Sequence, residues 1–291
     1  MIASIRWLVI AAVPLAACNV QIDSPGGINL GDNGDTRLPA PVDLTSISLD
    51  GAVQLSWSGS VVTSYPNQFR HYRVYSTGYF TSSNRCDTGG WVVEGTTVSD
   101  GFLASNLKNG VTRCFAISTV AQDGGEGTRG AARADTPRHG GNFVLIDAFD
   151  ARASTSGWLF QDVTAGHVGV VADGNRGDLD FRVERHGDGS LWFRPVRSSE
   201  RLQVYGNAPI PDLTWLDHAP SSGYAFIQAE AVPGYAYVFS VSQADGVHYG
   251  AIRVAYVGAD YVVIDWSYQI APNNAELSRM GQQNSLQRSL N

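Results

Sequence analysis

A period of two restricts the fold of this chain more than any other feature. Apolar residues recur at alternate positions in short stretches, Val53-x-Leu55-x-Trp57, Leu179-x-Phe181-x-Val183 and Val262-x-Ile264-x-Trp266-x-Tyr268. Side chains alternate between the faces of a strand, so each stretch predicts a strand with one buried face. Turn residues separate the stretches: Asp50-Gly51, Lys108-Asn109-Gly110, Asp123-Gly124-Gly125, His186-Gly187-Asp188-Gly189 and Gly258-Ala259-Asp260. No segment carries the repeat of an amphipathic helix. The expected class is therefore all-β, a sandwich over residues 41–137 followed by a second antiparallel β domain, barrel or sandwich, over 141–270. His139-Gly140-Gly141 reads as a hinge, and residues 271–291 as a polar tail.

In the first domain, Pro41, the Val53-x-Leu55-x-Trp57 strand, Tyr72-x-Val74-Tyr75, Leu107-x-Asn109-Gly110 leading to Phe115-x-Ile117, and Thr136-Pro137 resemble a fibronectin type III domain. The resemblance covers about a third of the chain. It implies a two-sheet sandwich that acts as a spacer or binding platform without catalytic residues. Trp57 is in phase with Val53 and Leu55 and reads as core. Arg113 departs from the pattern, occupying the place of the family's corner tyrosine.

The N-terminus carries one positive charge, Arg6, an apolar stretch from Trp7 to Val13, and then Leu15-Ala16-Ala17-Cys18. This is the pattern of a secretory signal over residues 1–17, and the apolar part is well short of the ~20 residues that span a bilayer. Leu-Ala-Ala-Cys resembles the lipobox of bacterial lipoproteins, which implies cleavage before Cys18 and lipidation of its thiol. Asn19, where related proteins retained at the inner membrane have Asp, implies an outer-membrane address. Residues 18–40 are rich in Gly, Pro, Asn and Asp and read as a flexible tether. With Cys18 lipidated, Cys86 and Cys114 remain as an expected disulfide pair. Their bridge would close a loop of 29 residues, worth roughly 3–4 kcal/mol in the chain-entropy model.

Loss of residues 1–17 leaves 19 basic against 27 acidic residues, a net charge of −8. Lys108 is the one lysine, and no basic run exists, which argues against nucleic acid as a partner. No nucleophile elbow, His-Glu-x-x-His, phosphate loop or dinucleotide fingerprint occurs, so the expectation is a non-enzymatic protein with neither a resident cofactor nor a metal. Aspartates 173, 178, 180 and 188 read as turn formers, and Arg176-Gly177-Asp178 as a turn rather than an adhesion signal.

The second domain holds the candidate ligand residues. Trp158, Trp192 and Trp215 lie at or near predicted loops, with His186 and His218 close to two of them. Asp245-Gly246-x-x-Tyr249-x-x-Ile252-x-Val254 through Asp265-Trp266-x-Tyr268, together with Asp178 to Arg182, resembles HmuY-like lipoproteins, some of which bind haem. No histidine falls in a motif of that family, so His167, His186, His218 and His248 are haem candidates by residue type alone. The expected function is a membrane-anchored binding module for a protein, glycan or small-molecule ligand. The alternatives are a haem- or small-ligand-binding lipoprotein and a carbohydrate-binding accessory of an envelope enzyme.

Overall fold

The computed structural model describes residues 37–216 and 218–277. The expected signal segment, Cys18, most of the tether and residues 278–291 lie outside the described residues.

The first half of the chain forms β1 (Thr45–Leu49), β2 (Ala52–Ser56), a five-residue helix α1 (Ser60–Ser64), β3 (Phe69–Phe80), β4 (Arg85–Cys86), β5 (Val92–Thr97), β6 (Gly101–Ala104), β7 (Arg113–Ala121) and β8 (Arg133–Asp135). One sheet runs β1-β2-β6; the other runs β4-β3-β7-β8, with β5 also paired to β3. All pairings are antiparallel. This is a fibronectin type III-like sandwich. Val53, Leu55 and Trp57 meet Tyr72, Val74, Phe115 and Ile117 in its core, and the Trp57 and Tyr72 rings pack edge to face at 5.3 Å. The helix was not expected. It is too short for periodicity to show, and Val61 anchors it to the core.

A disulfide joins Cys86 of β4 to Cys114 of β7, with Cα atoms 5.8 Å apart, so two strands that both pair with β3 are tied covalently. Arg113, in the place of the corner tyrosine, donates from Nη2 to Ser76 Oγ of β3 and lies 3.6 Å from Glu94 of β5.

The second half forms β9 (His139–Asp147), β10 (Gly157–Asp162), β11 (His167–Ala172), β12 (Phe181–Arg185), β13 (Leu191–Pro195), β14 (Arg201–Tyr205), β15 (Ala229–Glu230), β16 (Ala236–Gln243), β17 (Gly246–Val257) and β18 (Tyr261–Gln269). Two five-stranded sheets result, β11-β10-β12-β13-β15 and β14-β16-β17-β18-β9. Between them Trp158, Phe160, Phe181, Phe193, Tyr237, Phe239, Trp266 and Tyr268 form one interior of touching rings. The Trp266 ring occupies the space where a Cβ at Gly169 would sit, and Gly169 has φ +69°, so this position of β11 requires glycine twice over.

The structure corrects the expected hinge at 139–141 and the expected start of the polar tail, and it departs from regular strands at two further places. His139-Gly140-Gly141 is the start of β9, paired with β18, rather than a hinge. Residues 224–229 are mostly loop; only Ala229 enters a strand. Tyr256 does not share the inward face of Ile252 and Val254, because the register shifts after Val254 and turns it outward. The polar tail begins later than residue 271: Leu277 is buried with Leu213, Leu216, Ala236, Val238 and Ala251 on the outer face of the second sheet.

The two sandwiches join within three residues of chain. The Gly110 amide donates to Pro137 O (2.8 Å), the Arg138 amide to Leu49 O (3.1 Å), and Asn274 Nδ2 to Thr136 Oγ1 (3.2 Å). Asn109 Oδ1 accepts from the Gly51 amide, which turns Nδ2 toward His139 Nδ1 at 3.0 Å. Gly110 has φ +75°, and a Cβ there would meet Ile270, so a side chain at this position would part the two halves.

Candidate functional site

On β13, Leu191 and Phe193 point into the core, which turns Trp192 and Arg194 to the outer face. The register places Trp192 opposite Glu184 of β12 on one side and Glu230 of β15 on the other. The result is one row, Glu184–Trp192–Glu230, across three strands. The 186–189 turn then folds the His186 ring flat against the indole, with centroids 4.3 Å apart and planes 5° from parallel. Two hydrogen bonds hold the stack. Trp192 Nε1 donates to Ser190 Oγ (2.7 Å), and His186 Nε2 pairs with Gln228 Oε1 (3.0 Å). Around it, Glu184 receives Arg182 (2.6 Å) and Arg194 (3.0 Å). Phe226 and Ile227, both exposed, precede Gln228 on the same loop. The site is thus an oriented aromatic pair rimmed by carboxylates, guanidinium groups and an amide. That set suits a ligand offering a flat face and several hydroxyl or amide groups.

The other proposed ligand residues lie elsewhere. Trp158 is a correction: at 0% exposure it is a central member of the core, edge to face with Phe160 and Trp266. It alternates with Phe160 on β10, a signal of period two that the neighbouring Ser and Gly residues obscure. Trp215 is 40% exposed at the end of a turn, Leu213–Trp215, whose Leu213 packs on the outer face of the second sheet. His218 bridges to Glu276 beside the same cluster. Trp192 with His186 and Trp215 with His218 therefore occupy opposite outer faces of the sandwich, and no haem could bridge His186 and His218. His248 is buried, with Nε2 3.0 Å from Asp245 Oδ1 and its ring against Tyr268. His167 opens β11 and is exposed.

The aspartate-rich turns close on themselves. Asp173 accepts from the Asn175 amide (2.9 Å), and Asp188 accepts from the Ser190 amide and hydroxyl (3.0 and 2.6 Å). Arg176 folds back onto Asp178 (2.9 and 2.7 Å) and reaches Asp162 (2.9 Å), so the Arg-Gly-Asp tripeptide is engaged internally. Among the described residues, no group of three His, Cys, Asp or Glu side chains could hold a metal ion.

One polar cluster was invisible in the sequence. Asp180 and Glu200, 20 positions apart, are both fully buried and face Arg197. Asp180 Oδ2 accepts from the Phe160 amide (2.5 Å), and Arg197 Nη2 donates to Oδ1. Burial first, then the charge of Asp180, pushes the Glu200 carboxyl up to about 9.

No family model and no curated protein sequence matches the chain. Among solved structures, it is similar to a DUF4466 family protein from Parabacteroides merdae, at 10% identity over 76% of this chain and 93% of that one, with a TM-score of 0.37. It is similar to a two-domain fibronectin type III segment of chicken tenascin, at 13% identity over 79% and 98%, with a TM-score of 0.26. An Fn3-like protein from Clostridium thermocellum gives 18% identity over 33% and 92%, with a TM-score of 0.24. These are likenesses of fold, and the functional reading rests on the residues described above.

Proposed function

We propose that this chain is a non-enzymatic binding module of the bacterial cell envelope, held to the outer membrane through lipidated Cys18, with its ligand face on the second sandwich around Trp192 and His186. One observation carries the reading: the stacked His186–Trp192 pair is fixed in orientation before any ligand arrives. A ring locked by hydrogen bonds loses little freedom on binding, so more of its stacking energy appears as affinity. The rim of Glu184, Arg194, Glu230 and Gln228 offers donors and acceptors around an apolar plane, which favours a glycan over a purely apolar ligand. The first sandwich serves as spacer.

A glycan array probed with the full chain tests this. Binding should fall at least tenfold with Trp192→Ala and persist with Trp215→Ala. The opposite pattern would move the ligand face to the far sheet, and a Soret band after haem titration would replace the glycan reading. For the anchor, Cys18→Ser should yield unprocessed precursor or soluble product; full detergent partitioning with unchanged mature mass would remove the lipid.

A further inference from the structure

The chain crosses from β13 of one sheet to β14 of the other through residues 196–200. That crossover is sewn to the segment before β12: the Val196 amide donates to Asp180 O (3.4 Å) and the Arg197 amide to Leu179 O (3.2 Å). Its last residue, Glu200, points between the sheets with no exposed surface. Three ionisable groups face it: Asp180 ahead of β12, Arg197 of the crossover itself, and Tyr268 of β18. His248 of β17 lies behind Tyr268, and the neutral Gln161 and Gln243 hydrogen-bond the Tyr268 hydroxyl at 3.3 and 3.0 Å.

One guanidinium therefore serves two buried carboxyl groups, and it serves them unequally. Asp180 takes the Arg197 hydrogen bond and the Phe160 amide as well. Arg197 Nη2 approaches Glu200 Oε1 to 3.0 Å, yet among the described residues neither Glu200 oxygen has a partner in hydrogen-bond geometry. A second buried carboxylate that must share one guanidinium is far costlier than a neutral carboxyl group. We propose that Glu200 is a proton-held latch: it is neutral in the folded protein, and loss of its proton frees the crossover and the β14 edge that follows it. The raised affinity for a proton described above agrees with this placement. Burial raises Asp180 too, but the Arg197 hydrogen bond and the Phe160 amide oppose that rise, and Glu200 lacks both contacts, so Glu200 is the carboxyl that a proton relieves more.

The latch reaches further than the core. In β14 the Leu202 amide donates to Ala225 O (2.8 Å), and the Ala225 amide returns to Leu202 O (3.2 Å). Residue 225 lies on the loop that delivers Gln228 to His186. Release of β14 would loosen the support of the stack; this last step rests on the ligand face proposed above.

The sign follows from linkage. An unfolded Glu200 loses its proton near 4.5 and a folded one near 9, so the folded chain holds one extra proton between those values. Stability is then lost progressively as pH rises through that interval. Infrared difference spectra of the full chain against Glu200→Gln should show a protonated-carboxyl band in the wild type at pH 7 that disappears with a midpoint near 9. Hydrogen exchange corrected for intrinsic rates should show residues 197–205 opening over the same range. Raising the pH from 5 to 8 should lower the wild-type melting temperature by roughly 10 °C more than that of Glu200→Gln. Absence of the band at pH 7, or equal pH dependences, would overturn the latch. If Glu200→Gln does not fold, the wild-type band alone decides, and a midpoint below 6 refutes it. If the crossover opens while glycan binding is unchanged, the latch stands and the ligand face is wrong.

Discussion

Two glutamates in polar clusters, Glu126 of the first sandwich and Glu200 of the second, behave in opposite ways. In the first, Glu126 is partly exposed and receives Ser118 Oγ (2.6 Å), the Tyr75 hydroxyl and Arg73. Burial alone would raise its carboxyl, but those hydrogen bonds and the Arg73 charge outweigh burial and hold it below the ordinary carboxylate range. In the second, Glu200 is fully buried, shares its nearest guanidinium with Asp180, has no partner in hydrogen-bond geometry among the described residues, and is held well above that range. Donor supply, rather than burial alone, decides whether a carboxyl group strengthens a β-sandwich as charge or as acid. The same contrast runs through the scaffolds. The first is braced by a disulfide and saturated surface pairs, the second by interlocked rings and a concealed proton.

The largest test removes a ring. Phe181 touches Trp158, Phe160, Phe193 and Phe239, so Phe181→Ala should cost about 3–5 kcal/mol in denaturant unfolding of the second sandwich. A loss below ~1 kcal/mol would mean the interior collapses around the gap and is not jointly packed. Next, replacing Cys86 and Cys114 together by Ala should cost about 2–4 kcal/mol and leave the second sandwich intact by domain-specific proteolysis. Equal damage to both would show that they unfold as one unit. Trp192→Ala, on an outer face, should cost only about 1 kcal/mol while abolishing ligand binding, separating site from scaffold. The smallest effect belongs to Glu126→Gln. A depressed carboxyl contributes stability present above its unfolded value and lost as pH falls through its folded value. Glu126→Gln should therefore flatten the acid limb of the first sandwich, measured by melting temperature from pH 3 to 6. An unchanged acid limb would place the acid-sensitive group elsewhere.

Much of the scaffold was legible because period two needs only neighbours. Val53, Leu55, Trp57, Phe181, Val183, Ile264 and Tyr268 are all buried as their spacing requires. The pairing of Cys86 with Cys114 followed from counting. Tyr256 escapes the period of two because a register shift after Val254 turns it outward, which spacing alone does not show. Trp158 was misread because a short strand among Ser and Gly residues offers little pattern. Of the candidate site, Trp192 and His186 were named, but their stacking depends on the 186–189 turn. The Asp180–Arg197–Glu200 cluster has no local signature, since a crossover between sheets brings it together.

The pairing of β9 with β18 has a consequence for synthesis. Gly141 lies opposite Trp266, so the first strand of the second sandwich finds its neighbour only after 125 further residues have emerged. Until then Phe143-Val144-Leu145-Ile146 has no strand beside it, and Phe143 stays 76% exposed even in the finished fold. Contacts so distant along the chain form slowly, and an unpaired apolar strand invites association with other chains in the interval. Nascent copies stopped before residue 261 should aggregate, whereas copies stopped before residue 139 should stay soluble as a folded first sandwich. Comparing sedimentation of the two truncations would measure how far this protein depends on being finished.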